Sequence, residues 1–131
     1  MNYKIKPKPW ILRKLTKPFQ TVAFYPNIYT PDGKPIPSAQ LEHELCHLKQ
    51  QLRIGRLRYL FKYLFSKPFQ FKMEVEAIAV EIRNTNESQR MDVAKRYAHL
   101  LSSSAYSNCA ESCNAALGAI CQAAGLGADV V

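Results

Sequence analysis

The sequence predicts a small α+β domain, mostly helical, with a short sheet ahead of its longest helix. Three observations lead there. A chain of 131 residues suits a single domain, and its 47% hydrophobic content supplies a modest core. Aromatic and β-branched residues gather between Phe19 and Thr30, as strands require. From Ser38 onward apolar residues recur at helical spacing, punctuated by Gly55, by Ser66-Lys67-Pro68 and by Asn84-Thr85-Asn86.

Residues 1–18 form a basic segment interrupted by Pro7, Pro9 and Pro18, with room for one short helix from Trp10 to Leu15. Phe19 to Thr30 reads as one strand or two short ones. Pro26 has no N–H to give to a ladder, which assigns this strand to a sheet edge. Pro31-Asp32-Gly33-Lys34-Pro35 is a turn by composition. Ser38 is a suitable N-cap for a helix to about Ile54, stopped by Gly55. A second, basic and aromatic helix covers Arg56 to Phe65, a third Phe69 to Arg83, and a fourth Glu87 to Leu101. Met91, Ala94, Ala98 and Leu101 share one face of the fourth. The domain thus spans residues 19–101. Residues 102–131, rich in Ser, Ala and Gly, read as a tail with a weak helix near 109–124.

The formal charge of +8 is uneven: residues 1–72 hold 14 Lys/Arg against 3 Asp/Glu, and residues 73–131 hold 4 against 7. A solvated basic surface is the plainest account of the front half. No stretch approaches the roughly 18 apolar residues of a membrane span, and prolines and charges break the N-terminus before an apolar signal region develops. A cytoplasmic protein is expected. Cys46, Cys109, Cys113 and Cys121 then read as free thiols, since their spacing makes no disulfide framework or closed structural zinc site.

The chemistry concentrates in His43-Glu44-Leu45-Cys46-His47, an H-E-x-x-H run within the first long helix. At about 100° per residue the two imidazoles lie about 40° apart, able to hold one zinc ion, with Glu44 beside them to act on a water. On the same wheel Leu41, Leu45, Leu48 and Leu52 form a separate stripe, read as the core face. A catalytic zinc needs a third protein ligand and an open position. The extended motif H-x-x-G-x-x-H is excluded, because Gln50 and Arg53 occupy its positions. The third ligand is then a glutamate of the third helix. Phe71, Val75, Ile78 and Ile82 make the apolar face of that helix; Glu74 and Glu81 border it, whereas Glu76 points away. Glu74 is the assigned ligand, with Glu81 as an outer partner or the fallback and Glu76 last.

These residues resemble the zincin metallopeptidases, in the gluzincin-like arrangement where H-E-x-x-H is followed by a glutamate on a later helix. His43-Glu44-Leu45-Cys46-His47-Leu48-Lys49-Gln50-Gln51, Gly55, Tyr63-Leu64 and Phe71-Lys72-Met73-Glu74-Val75-Glu76-Ala77 look like small bacterial and phage-type metallopeptidases with an HELxHxxQ helix and an E-x-E-A helix. The likeness covers roughly residues 19–100, and the first glutamate of such a run, here Glu74, is the ligand it implies. The polar residue that many zincins carry after the Ala of that run is Ile78 here. The resemblance implies one Zn²⁺, a peptide or protein substrate, and Glu44 as general base. Tyr25, Tyr29, Tyr63, Arg83 and His99 are the candidate oxyanion helpers, and an edge strand within residues 19–30 could hold an extended peptide. Two other functions fit the sequence: a zinc-binding structural or interaction protein without catalysis, and a basic amphipathic module. In the second, Arg53 to Lys72 would contact anionic lipid or nucleic acid. For that segment the expectation is structural, with its aromatics packed over the motif helix and its charges in water.

Overall fold

The computed structural model describes residues 2–17 and 19–126. Its elements run β1 (Lys4–Pro7), α1 (Trp10–Leu15), β2 (Val22–Phe24), β3 (Asn27–Thr30), α2 (Ser38–Ile54), α3 (Arg56–Phe65), α4 (Lys67–Arg83), α5 (Arg90–Leu101) and α6 (Cys113–Ala124), with short 3-10 turns at Glu87–Gln89 and Ser104–Tyr106. The protein is an α+β domain, mostly helical, with one three-stranded sheet. No helix among the described residues is long and apolar enough to cross a membrane. The last five residues of the predicted tail, 127–131, lie outside the described part.

The sheet order is β1-β3-β2, with β1 parallel and β2 antiparallel to β3. Pro26 therefore does not mark an edge strand. It sits in the turn of the β2–β3 hairpin, after a cis Tyr25–Pro26 peptide, and leaves β3 free to be the central strand. The edges are β1 and β2, and β2 lies against α2. Ile28 and Thr30 turn inward from β3 and are fully shielded.

Helix α2 begins at Ser38, not after it. Pro37 has extended backbone, and its carbonyl accepts the Leu41 N–H at 2.9 Å, so Pro37 holds the cap position without a side-chain bond. Gly55, at φ +103°, ends α2 and lets α3 start at once. Ser66 caps α4 by accepting from the Phe69 N–H at 3.3 Å, with Pro68 in the first turn.

Two expectations about faces are overturned. Of the predicted leucine stripe on α2 only Leu48 is fully buried; Leu41 and Leu45 are half-buried and Leu52 is 55% exposed. The buried face instead carries His43, Cys46, His47, Gln50 and Gln51, because α4 packs there and pairs with His43, His47 and Gln50, while the β2–β3 hairpin takes Gln51. On α3 only Tyr59 is buried and Tyr63 half-buried, while Leu57, Phe61, Leu64 and Phe65 face solvent. The α3 aromatics do not form a lid over α2. The inward face of α3 carries Tyr59 and Tyr63 instead, and the Tyr63 hydroxyl reaches Glu74 on α4.

The main apolar core lies on the other side of α4. Ile78 and Ile82 pack with Ala94, Ala98 and Leu101 of α5 and with Ala116, Ile120 and Cys121 of α6, with Met91, Phe71 and Val75 at its margin. Cys109, Ala110 and helix α6 are thus part of the fold rather than an appended tail. Small residues in α6 let it approach both α4 and α5, and Ser112 caps it through the Ala115 N–H at 3.0 Å. Arg83, at the end of α4, donates to the Ala123 carbonyl at 3.1 Å and ties the two helix ends together.

Candidate metal centre

Helices α2 and α4 pack side by side and bring three donors to one point. His43 Nε2 lies 3.2 Å from His47 Nε2; the Glu74 carboxylate lies 3.5 Å from the first and 3.3 Å from the second. All three side chains are buried. Four-coordinate zinc with ligands at about 2.0–2.1 Å requires neighbouring donors roughly 3.3 Å apart. The observed separations match that spacing. Glu74 Oε1 is a buried acceptor without a hydrogen-bond partner among the described residues, which a cation at this point would satisfy. His43, His47 and Glu74 could hold a metal ion.

The surrounding groups fix which nitrogen of each ring faces inward. Gln50 Nε2 donates to the Met73 carbonyl at 3.0 Å, which turns Gln50 Oε1 toward His47 Nδ1 at 2.9 Å. A carbonyl oxygen only accepts, so the His47 proton resides on Nδ1 and Nε2 presents its lone pair. On the other ring, His43 Nδ1 lies 2.9 Å from Glu81 Oε1, close enough for charge pairing though off the line of a hydrogen bond. Tyr97 in turn donates to Glu81 Oε1 at 2.7 Å, and Arg96 approaches Glu81 at 3.8 Å. From α3, Tyr63 donates to Glu74 Oε2 at 2.7 Å, and the Tyr59 hydroxyl lies 3.2 Å from His47 Nδ1.

The charges are strongly coupled. Burial works against protonating His43, but Glu74 and Glu81 outweigh it and push its pKa up to about 10. His47 is raised in the same way, against burial, chiefly by Glu74. For Glu74 burial favours the neutral acid, yet the two imidazoles hold its carboxyl well below the usual range. Glu81 is lowered against its burial by His43 and Tyr97. Glu44 behaves differently: burial pushes its carboxyl up, and the two histidines only partly offset that.

Glu44 and His43 line a cleft of about 220 Å³ together with Glu81, Arg96, Tyr97, Gln20, Thr21 and Tyr106. Gln20 Nε2 donates to the Ala105 carbonyl at 3.0 Å, joining the start of β2 to the 3-10 turn. Deeper along β2 the edge is already occupied. Gln51 donates to the Ala23 carbonyl at 2.8 Å and accepts from the Tyr25 N–H at 2.6 Å.

Of the sequence-proposed residues, the structure brings together His43, His47, Glu74 and Glu81, with Glu44 beside them and Tyr63 on the Glu74 carboxylate. Glu76 stands outside and pairs with Arg53 at 3.4 Å. Tyr25 lies in the hairpin turn, Tyr29 accepts from Asn27 in the sheet at 3.2 Å, Arg83 anchors α6, and His99 is exposed on α5. The sequence reading missed Gln50, Tyr59, Tyr97 and Arg96. For Gln50 a signal existed, since it lies one helical turn beyond His47 on the ligand face. Tyr97 comes from a helix whose orientation only packing decides. Comparison with protein-family models, with curated proteins and with solved structures returns no match for this chain.

Proposed function

We propose that the chain is a zinc-dependent metallopeptidase that hydrolyses peptide bonds, with His43, His47 and Glu74 as ligands and Glu44 as general base. One observation carries the reading: two histidine Nε2 atoms and a carboxylate with an unpartnered oxygen converge beside Glu44, and His43 and Glu44 line a cleft. Two nitrogens and one oxygen are a donor set that suits zinc. Bound there, zinc would lower the pKa of a coordinated water toward neutrality and polarise a substrate carbonyl.

The chain's own residues supply the rest. Glu44, made more basic by burial, takes the proton of the attacking water and passes it to the departing amine. Gln50 holds the His47 ring in the tautomer that aims Nε2 inward, the Glu81 carboxylate pairs with the Nδ1 side of His43, and Tyr63 fixes the Glu74 carboxylate. Arg96 brings a guanidinium to the cleft, where its charge would face the developing oxyanion. With Gln51 on Ala23 and Tyr25, an extended peptide adding to β2 meets backbone groups only near Thr21, at the cleft itself. A reducing compartment such as the cytoplasm suits the four free cysteines.

The test is metal content and a single substitution. Purified protein is expected to carry about one zinc per chain, and Glu44→Gln to keep the metal while losing cleavage of an unfolded protein substrate. A protein that neither carries nor takes up zinc, or an undiminished Glu44→Gln variant, overturns the proposal.

A further inference from the structure

We infer that the outer face of α3 docks on an anionic lipid surface, an inference that stands apart from the metal chemistry. Leu57, Leu60, Phe61, Leu64 and Phe65 recur at the spacing of one helical face, and they are 74%, 37%, 66%, 65% and 76% exposed. Tyr59 and Tyr63 occupy the opposite face, so the exposed stripe is not a core surface turned outward by poor packing. Exposed cations border the stripe on both sides: Arg56 on one, Arg58 and Lys62 on the other. No Asp or Glu occurs between Glu44 and Glu74, which leaves nothing on α3 to repel an anionic surface.

A helix of ten residues is far too short to cross a bilayer and suits the interfacial plane, apolar face down and cations at the headgroups. Charge and area both disfavour a second copy of the chain. Pairing two α3 helices would set basic flank against basic flank. A face about 15 Å long and about 10 Å wide also offers a footprint on the order of 150 Å², against about 800 Å² per partner in a stable interface. Nucleic acid would be met by the flanking cations alone, with the leucines and phenylalanines left against phosphate.

The experiment is sedimentation of the full chain with phosphatidylcholine vesicles, with and without about 30% phosphatidylserine, an anionic fraction that gives basic segments an attractive surface potential. Expected is binding to the anionic vesicles that falls with salt. The double variant Phe61→Ser/Phe65→Ser should bind at least about tenfold more weakly, as loss of buried apolar area predicts. Its helical circular dichroism should be unchanged, because both side chains are exposed. Equal binding to neutral vesicles, no binding to either, or undiminished binding by the folded variant overturns the inference. So does concentration-dependent self-association that the variant abolishes, or binding to an oligonucleotide in place of vesicles. Zinc content and peptidase activity do not enter these readouts, so this inference and the metallopeptidase proposal fail separately.

Discussion

Gln50 Oε1 accepts the Nδ1 proton of His47 at 2.9 Å, and its amide cannot turn over because Nε2 is held by the Met73 carbonyl at 3.0 Å. One buried amide thereby connects the backbone of α4 to the tautomer of His47 on α2. Gln50→Ala is expected to weaken zinc affinity by about 10- to 100-fold, the usual loss when a ligand's outer partner is removed. Competition against a chromophoric chelator measures it. Unchanged affinity in a folded variant would mean that His47 needs no orienting partner.

On the opposite side of the site, Tyr97→Phe removes the hydroxyl that Glu81 accepts at 2.7 Å. Hydrogen bonds to charged groups contribute about 1.5–3 kcal/mol, so the variant should unfold at lower denaturant by an amount in that range. Metal affinity should fall with it, because Glu81 then pairs less firmly with His43.

Metal uptake should release protons. In the metal-free protein Glu74 and Glu81 raise the His43 pKa to about 10, so that ring carries an extra proton at neutral pH that a metal must displace; His47 is shifted in the same direction, chiefly by Glu74. Calorimetric titration in buffers of different ionisation enthalpy should show release of at least about one proton per metal near pH 7.5. The folded-state pKa of His43 lies above its unfolded value of 6.5, so its stabilising effect is complete below 6.5 and is lost as pH rises through about 10. The melting midpoint of metal-free protein should fall across that window, and bound metal should remove this dependence.

The last helix should be indispensable. Ile120 is fully shielded in the core shared by α4, α5 and α6. Ile120→Ala should cost about 2–5 kcal/mol, the range for such truncations, read as a shift in the denaturation midpoint. A shift near zero would make α6 an ornament on a domain complete at Leu101.

Much of this was legible in the sequence. Glycine and proline punctuation located α1, α3 and α4 within a residue or two, and the wheel of α4 separated Glu74 and Glu81 from Glu76. Where the reading failed, it assumed that apolar residues mark the buried face. On α2 that assumption pointed to Leu41, Leu45 and Leu52, whereas the buried side is polar and satisfied by partners distant in sequence. On α3 it turned the phenylalanines inward, whereas Tyr59 and Tyr63 hold the inward positions and Phe61 and Phe65 face solvent. Strand β1 left no local signal: Lys4–Pro7 is four residues of mixed character, ordered only by parallel pairing with β3.

The convergence of His47 and Glu74 has a topological side. All four cysteines are free, so no covalent bond links one part of the chain to another. An ion held between α2 and α4 would close the loop that runs through the whole of α3, as a disulfide does in small secreted domains. For a loop of that length the chain-entropy model gives about 3.5 kcal/mol of stabilisation. The same ion would therefore act as a crosslink, holding α2 and α4 together across a helix that buries only Tyr59 of its own.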